Sequence, residues 1–330
     1  MTGVEPAEKT PQAAPAGPVE REFTVKARTQ RQLVLRRFVR HRAAMTAMVV
    51  FVFVLLLATT SIGAFGLPGW WSQSYVTSGE VVNGGHMTLD VFPSFIDGDG
   101  LAIGRHPFGQ DDVGRDYFAL TMRGAQRSMT IALIVGLLST VVGVLIGAFA
   151  GFFVGWVDSA LMRLTDVVLT IPQLVIAAVL GRTAGGGAIT LALLLSVVSW
   201  TYLARLVRGE FLSLREKEFV EAARAMGASP ARIIFRHILP NTIGTIIVNA
   251  TLTIASAILL ETALSYVGLG VQDPDTSLGK LISDYKEAFQ VRPWLFWWPG
   301  LFIVAIALTV NFIGDGLRDA FDPKQNRVRA

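Results

Sequence analysis

No cysteine occurs among the 330 residues, which excludes a disulfide framework, a thiolate zinc site, an iron–sulfur cluster and a cysteine nucleophile. Charge is scarce as well. Asp, Glu, Lys and Arg together make 16% of the chain, against about 25% in an ordinary soluble domain. The four histidines, His41, His86, His106 and His237, are scattered and no pair sits at ligand spacing, so no metal site is expected. A GxxxxGKS/T phosphate loop, an HExxH helix and a GxSxG elbow are all missing. The chain therefore has no visible means of binding ATP or of forming a covalent intermediate.

What is abundant is apolar sequence, 52% of all residues. The charges that do occur leave long gaps. The spans between Arg42 and Glu80, Arg127 and Asp158, Arg182 and Arg205, His237 and Glu261, and Arg292 and Asp315 hold no charged side chain. Crossing a bilayer takes roughly 20 apolar residues. Six spans are expected, at 44–66, 128–154, 160–181, 188–207, 243–265 and 295–316. The third contains Arg163, Asp166 and Pro172, and a proline there requires neighbouring helices to satisfy the freed carbonyl. The net charge of +4 calls for no nucleic acid partner, because in a membrane protein basic residues first report orientation. Assigning 1–43, 155–165, 205–242 and 317–330 to the inside places 21 of the 29 Lys and Arg there. Both termini are then cytoplasmic in a multi-pass plasma-membrane protein, with 44–66 as an uncleaved signal anchor.

The expected organisation has five parts. Residues 1–43 form a cytoplasmic tail, largely disordered where Pro, Ala and Glu dominate over 1–22. The first transmembrane helix is 44–66. An extracytoplasmic loop, 67–127, ends in an interfacial elbow capped by Asp111 or Asp112, with Val113, Tyr117 and Leu120 on one face. The core is 128–318, with a cytoplasmic loop at 205–242, and 319–330 is a cytoplasmic tail. In the second span Gly143, Gly147, Gly151 and Gly155 recur every four residues, a face for close helix packing. Arg163 and Asp166 read as a local ion pair, and Trp294, Trp297 and Trp298 as an interfacial belt. His106, Asp111, Asp112 and Asp116 lie in a linear run that shows no convergent metal geometry.

Two places invite function. Glu261 interrupts the fifth span, and an intramembrane carboxylate is a candidate for a pathway or gate. The alternative is a position near the external interface, in contact with water. The other place is the inside loop. Glu216 to Met226 reads as a helix with Phe219, Ala222, Ala223 and Met226 on one apolar face. Gly227 suits a left-handed C′ residue, Ser229 an N-cap and Pro230 the first turn of the next helix. Such a helix fits either a partner's groove or the inner leaflet.

The segment EFVEAARAMGASPARIIFRHILPN resembles the EAA loop of bacterial ABC-transporter permeases, here Glu221-Ala222-Ala223, Gly227 and Ile238-Leu239-Pro240. HPFGQDDVGRD at 106–116, LSYVGLGVQ at 264–272 and GDGLRDAFDP at 314–323 are similar to C-type subunits of dipeptide/oligopeptide permeases. The sequence departs from that pattern at Gln110, where threonine is usual, and over 67–105. There Trp70, Trp71 and IDGDG replace a proline-rich stretch. The resemblance implies an all-α membrane protein with six transmembrane helices and a type I ABC importer permease (MetI-like) fold. It implies half of a peptide pathway, completed by a B-type permease subunit. It further implies two ATPase subunits binding ATP and Mg, and an extracytoplasmic substrate-binding protein. Phe219, Glu221, Ala222, Ala223, Met226 and Gly227 would couple to the ATPases. Nickel complexes or sugars are the alternative cargo within that family. A secondary transporter would instead show inverted repeats and broken mid-membrane helices.

Overall fold

The computed structural model describes residues 30–64, 66–89, 103–183, 185 and 187–321. Residues 1–29 (which include the stretch expected to be disordered), the IDGDG run and the tail from 322 lie outside the described residues.

A short basic helix, α1 (Gln30–Arg40), turns at His41 into α2 (Arg42–Ser61). His41 caps α2 by accepting from Ala44 N–H at Nδ1, and its Nε2 lies 3.3 Å from Asp319. The span expected to reach residue 66 stops at Ser61, because Gly63 takes φ +82 and starts a two-residue hairpin with Leu67–Pro68. The chain folds back, and Trp71 N–H donates to the Ser61 carbonyl at 2.8 Å.

The next helix, α3 (Tyr117–Phe152), is a single 36-residue element. The expected elbow and second span are thus one helix, and its cap is Asp116 rather than Asp111 or Asp112. Tyr117 and Leu120 are buried as expected, whereas Val113 is exposed. Then come α4 (Trp156–Thr170), α5 (Gln173–Thr183), α6 (Ala188–Ser199) and α7 (Thr201–Leu214). These pair into two bent spans. The first breaks by 81° just before Gln173, where Pro172 cannot donate to the helix; the second bends by 41° at Trp200. α8 (Glu218–Ala225) precedes one long rod made of α9 (Pro230–Arg232), a π-helical stretch at Ile233–Ile238 and α10 (Leu239–Tyr266). α11 (Leu278–Tyr285) and α12 (Trp294–Phe321) complete the fold. Among the described residues four helices are long and apolar enough to cross a membrane, and counting each bent pair as one span gives six.

The glycine row explains how α3 meets α7. A Cβ on Gly143 would stand 2.8 Å from the Trp200 carbonyl oxygen, and one on Gly151 would stand 2.6 Å from Phe211 Cβ. At Gly147 it would fall inside contact distance of the Ala204 carbonyl oxygen. Gly155 serves differently. With φ at +98 and open space around it, it turns the chain into α4.

At the end of the bundle holding 103–116, aromatic and polar locks hold the connector. Phe108 stacks on Trp298 with centroids 3.8 Å apart, and the Tyr117 hydroxyl donates to the Leu295 carbonyl. Of the three tryptophans expected in a belt, Trp294 is buried beside His86 and Trp298 is engaged by Phe108; Trp297 alone is exposed. His106 Nδ1 lies 2.7 Å from Asp116 Oδ1, and Trp71 Nε1 donates to Oδ2. Asp111 accepts from Arg115 Nε at 2.6 Å and from the Tyr285 hydroxyl at 3.0 Å. Burial, with the Asp111 charge alongside, pushes the Tyr285 phenol well above its usual range, so it stays a donor. Burial works against the Arg115 charge, but the bond to Asp111 raises the guanidinium above its usual value. Gln110 has its own use: it accepts from Val82 N–H and donates to the Glu80 and Gly114 carbonyls. A threonine is too short to span those three partners, so Gln110 suits the divergent connector before it.

Candidate functional site

The segment between α7 and α10 carries the short helix α8 and a tight turn into the next rod. Its stops and starts are local. The Gly227 N–H donates to the Arg224 carbonyl and the Ala228 N–H to the Ala223 carbonyl, both at 3.0 Å. That pair of bonds is a Schellman closure, and it needs the φ of +78 that Gly227 adopts. Nothing lies within 4 Å of a Cβ built on Gly227, so the demand is conformational, not spatial. Ser229 Oγ accepts from Arg232 N–H, with Pro230 at the first helical position. These three residues take the places the sequence assigned them. The helix itself is shorter than Glu216–Met226, because Arg215 ends α7 and Lys217 is the N-cap of α8.

The expected apolar face divides. Val220 and Ala223 turn inward, at 0% and 1% exposure, against Val207, Phe211, Ile233, Ile234 and Ile238. Phe219, Ala222 and Met226 face out, with Met226 80% exposed. Ala223 therefore cannot present itself to a partner's groove and is corrected to a seat residue. Val220, which the sequence reading left out, is its companion. Glu221 and Arg224 are exposed on the outer side. At 100° per residue, Phe219, Ala222 and Met226 share one arc, and Ala223 stands at its inner edge. Phe235, 49% exposed, adds a second apolar projection on the same segment.

The seat is tied into the spans. Arg208 on α7 bonds Asp158 on α4 through Nε at 2.5 Å and Nη2 at 2.7 Å. Asp166 pairs with Arg205 across the helices, not with Arg163 on its own helix as the sequence suggested. Arg215 donates to the Phe152 carbonyl at the end of α3. Below α8 the π register gives the Ile234 carbonyl to Leu239 N–H. The Asn241 side chain bonds the His237 carbonyl at 2.6 Å, one residue beside the N–H that Pro240 lacks.

Glu261 is no part of this site. It is 0% exposed and accepts from Ser128 Oγ at 3.1 Å, Ser265 Oγ at 2.8 Å and Ser277 Oγ at 2.6 Å. The expectation of a carboxylate facing a path, or meeting water, is therefore corrected. Burying a carboxylate is tolerable only when it is hydrogen-bonded, and the three hydroxyls supply those bonds while joining α3, α10 and the cap of α11. Neither Ser128 nor Ser277 stands near Glu261 in sequence, so the cage was not legible there.

Comparison with known proteins places this geometry. Residues 143–327 match the family model for a binding-protein-dependent transport system inner membrane component, and residues 29–72 match the N-terminal transmembrane domain of oligopeptide transport permease C. The chain is 39% identical over 303 residues to the oligopeptide transport system permease protein OppC of Mycobacterium tuberculosis H37Rv, covering 91% of this chain and 97% of that protein. It is 37% identical over 307 residues to OppC of Escherichia coli K12, covering 92% and 94%. A putative peptide permease protein of Brucella suis is 43% identical over 222 residues, covering 67% and 74%. Among solved structures, an inward-facing MetNI methionine ABC transporter chain aligns with a TM-score of 0.52 at 20% identity, covering 62% of this chain and 97% of that one. That last likeness is one of fold.

Proposed function

Since the chain belongs to the family of binding-protein-dependent transport system inner membrane components, we propose that it is the C-type permease subunit of a peptide-importing ABC transporter. It forms one half of the transmembrane pathway, and a B-type permease subunit forms the other. The observation that carries the reading is α8: an apolar face turned outward on a helix whose adjoining face is anchored in the chain's own core. With no phosphate loop in the sequence, the driving energy must come from other chains. Two ATPase subunits, holding ATP and Mg, would grip this face, and an extracytoplasmic binding protein would deliver peptide at the far end.

The geometry supports a mechanism for the coupling. Val220 and Ala223 join α8 to α7 and to the rod that becomes α10. A push on α8 is then a push on both spans. The glycine seam locks α7 to α3, so the three helices move as one body. The bends at Pro172 and Trp200 are the places where that body can shift against the rest.

The test is reconstitution of the whole complex in proteoliposomes. It should take up labelled peptides as ATP is hydrolysed, and this chain purified alone should hydrolyse none. ATPase activity in a preparation free of the other subunits, or failure to move any member of a peptide library, would sink the reading.

Orientation in the plasma membrane follows from the charge bias, with both termini and α8 in the cytoplasm. Single cysteines at Ser78 and Ser213, both exposed, can be labelled with an impermeant maleimide without background. In intact cells Ser78→Cys should label and Ser213→Cys should not. The opposite pattern would invert the topology and move α8 away from any cytoplasmic ATPase.

A further inference from the structure

A cavity of about 450 Å³ opens at the end of the bundle opposite α8, bordered by Tyr75, Arg123, Arg127, Gln272, Asp273 and Asp275. Its charges do not balance. Arg127 Nη2 bonds Asp275 Oδ1 at 2.9 Å, while Arg123 Nη2 lies 3.9 Å from that same oxygen, beyond hydrogen-bond length. Asp273 is drawn off by Lys280 at 3.1 Å. Two guanidinium groups thus share one carboxylate. Arg127 Nε is enclosed and has no hydrogen-bond partner among the described residues. Arg123 is held in place from behind, over the Tyr75 ring at 5.3 Å and by a bond from Nη1 to Gln126 Oε1 at 3.2 Å. Arg123, Arg127 and Asp275 are each about one-quarter exposed, so the excess charge is neither fully solvated nor neutralised.

We infer that this pocket is a carboxylate subsite, which receives the C-terminal carboxylate of a peptide as it enters the pathway. The inference rests on the peptide reading above. Two observations commit it to that ligand. Two neighbouring guanidinium groups, Arg123 fixed by an aromatic face and a side-chain amide and Arg127 with an unpartnered Nε, present planar donors suited to a carboxylate. The free C-terminal carboxylate is also the one anion that peptides of any sequence share. Asp275 acts as the internal counter-ion, occupying Arg127 until the substrate carboxylate competes for it.

The test uses the complete reconstituted transporter with its binding protein and two substrates, a labelled tripeptide and its C-terminal amide. Any preference of the binding protein cancels when each variant is compared with the unmutated complex on the same substrate. Arg127→Gln and Arg123→Gln should each lower uptake of the free acid about tenfold more than uptake of the amide. Asp275→Asn should shift the ratio the other way, because it removes the competing carboxylate. Equal losses on both substrates would mean that the arginines are structural, and would overturn the subsite while leaving the peptide reading intact. Unchanged discrimination in Asp275→Asn would count against it as well. Uptake of neither peptide by the unmutated complex would overturn the peptide reading, and the subsite with it.

Discussion

Gly147→Ala is expected to lower the thermal stability of the purified permease, and Gly147→Leu to abolish recovery of folded protein. In an open helix position the same Gly→Ala change would stabilise, by about 0.8–1 kcal/mol. Gly209 on α7 is such a position, with nothing within 4 Å of its Cβ and no positive φ. At Gly147 the new methyl would press into the Ala204 carbonyl oxygen and stand 2.8 Å from Val207 Cβ and 3.0 Å from Arg208 N. Two of these three neighbours are backbone, which cannot swing aside as the end of a long side chain can. The seam must open, and overpacking of this kind typically costs about 1–3 kcal/mol, more for leucine. Unfolding in detergent, followed by thermal aggregation, reads the difference. If Gly147→Ala proved as stable as Gly209→Ala, α3 and α7 would not be packed through this row.

The contrast between those glycines shows what the sequence could and could not reveal. The four-residue period announced a close-packing face, because helix geometry alone puts such residues in a line. The turn after α8 was legible for the same reason: Gly227, Ser229 and Pro230 act on neighbours within five residues. Six apolar spans were legible from composition. Features set by partners far along the chain were not. Asp111 does not cap α3: its Oδ1 accepts from the Val113 and Arg115 N–H groups in the turn before the helix, and its Oδ2 takes Arg115 Nε and the Tyr285 hydroxyl, the latter 174 residues away. Asp166 chose Arg205, 39 residues on, over Arg163 on the next turn. Trp294 and Trp298 looked like membrane anchors until His86 and Phe108 took them. Glu261 read as exposed or gating because the serines that enclose it come from three separate elements. The same limit applied at α8. An apolar arc was visible, but which edge faced the core depended on Val207, Phe211 and Ile233–Ile238, whose arrangement no local pattern states.

That division of the α8 arc allows docking to be separated from folding. Ala222→Trp places a large ring on the exposed side of the helix, where the chain itself offers no obstacle. It should leave the stability of the isolated permease within about 0.5 kcal/mol, as surface changes usually do. If ATPase subunits grip this arc as proposed, it should nevertheless lower their co-purification and reduce ATP-driven uptake by at least about tenfold, because a groove that fits alanine would clash with an indole. Met226→Glu should act in the same direction, by placing a charge on a side chain that is 80% exposed. Ala223→Trp, one position on, should behave differently. Ala223 is buried in the cluster with Val207, Phe211, Ile233, Ile234 and Ile238, so a ring there should unseat α8 and destabilise the permease before any partner binds. Gly227→Val tests the exit from the helix. A β-branched residue at φ +78 is strained by about 1–2 kcal/mol, and relief of that strain would re-aim Pro230 and the rod that follows. Gly227→Asn, which tolerates that backbone region, should recover most of the loss. Three readouts on each variant separate the causes: thermal stability of the chain alone, ATPase retained on an affinity column, and uptake per ATP hydrolysed. Should Ala222→Trp and Met226→Glu both retain the ATPases and transport at the unmutated rate, the exposed arc is not where force enters. α8 would then be a helix lying on the bilayer surface, and coupling would have to pass through a different part of the chain.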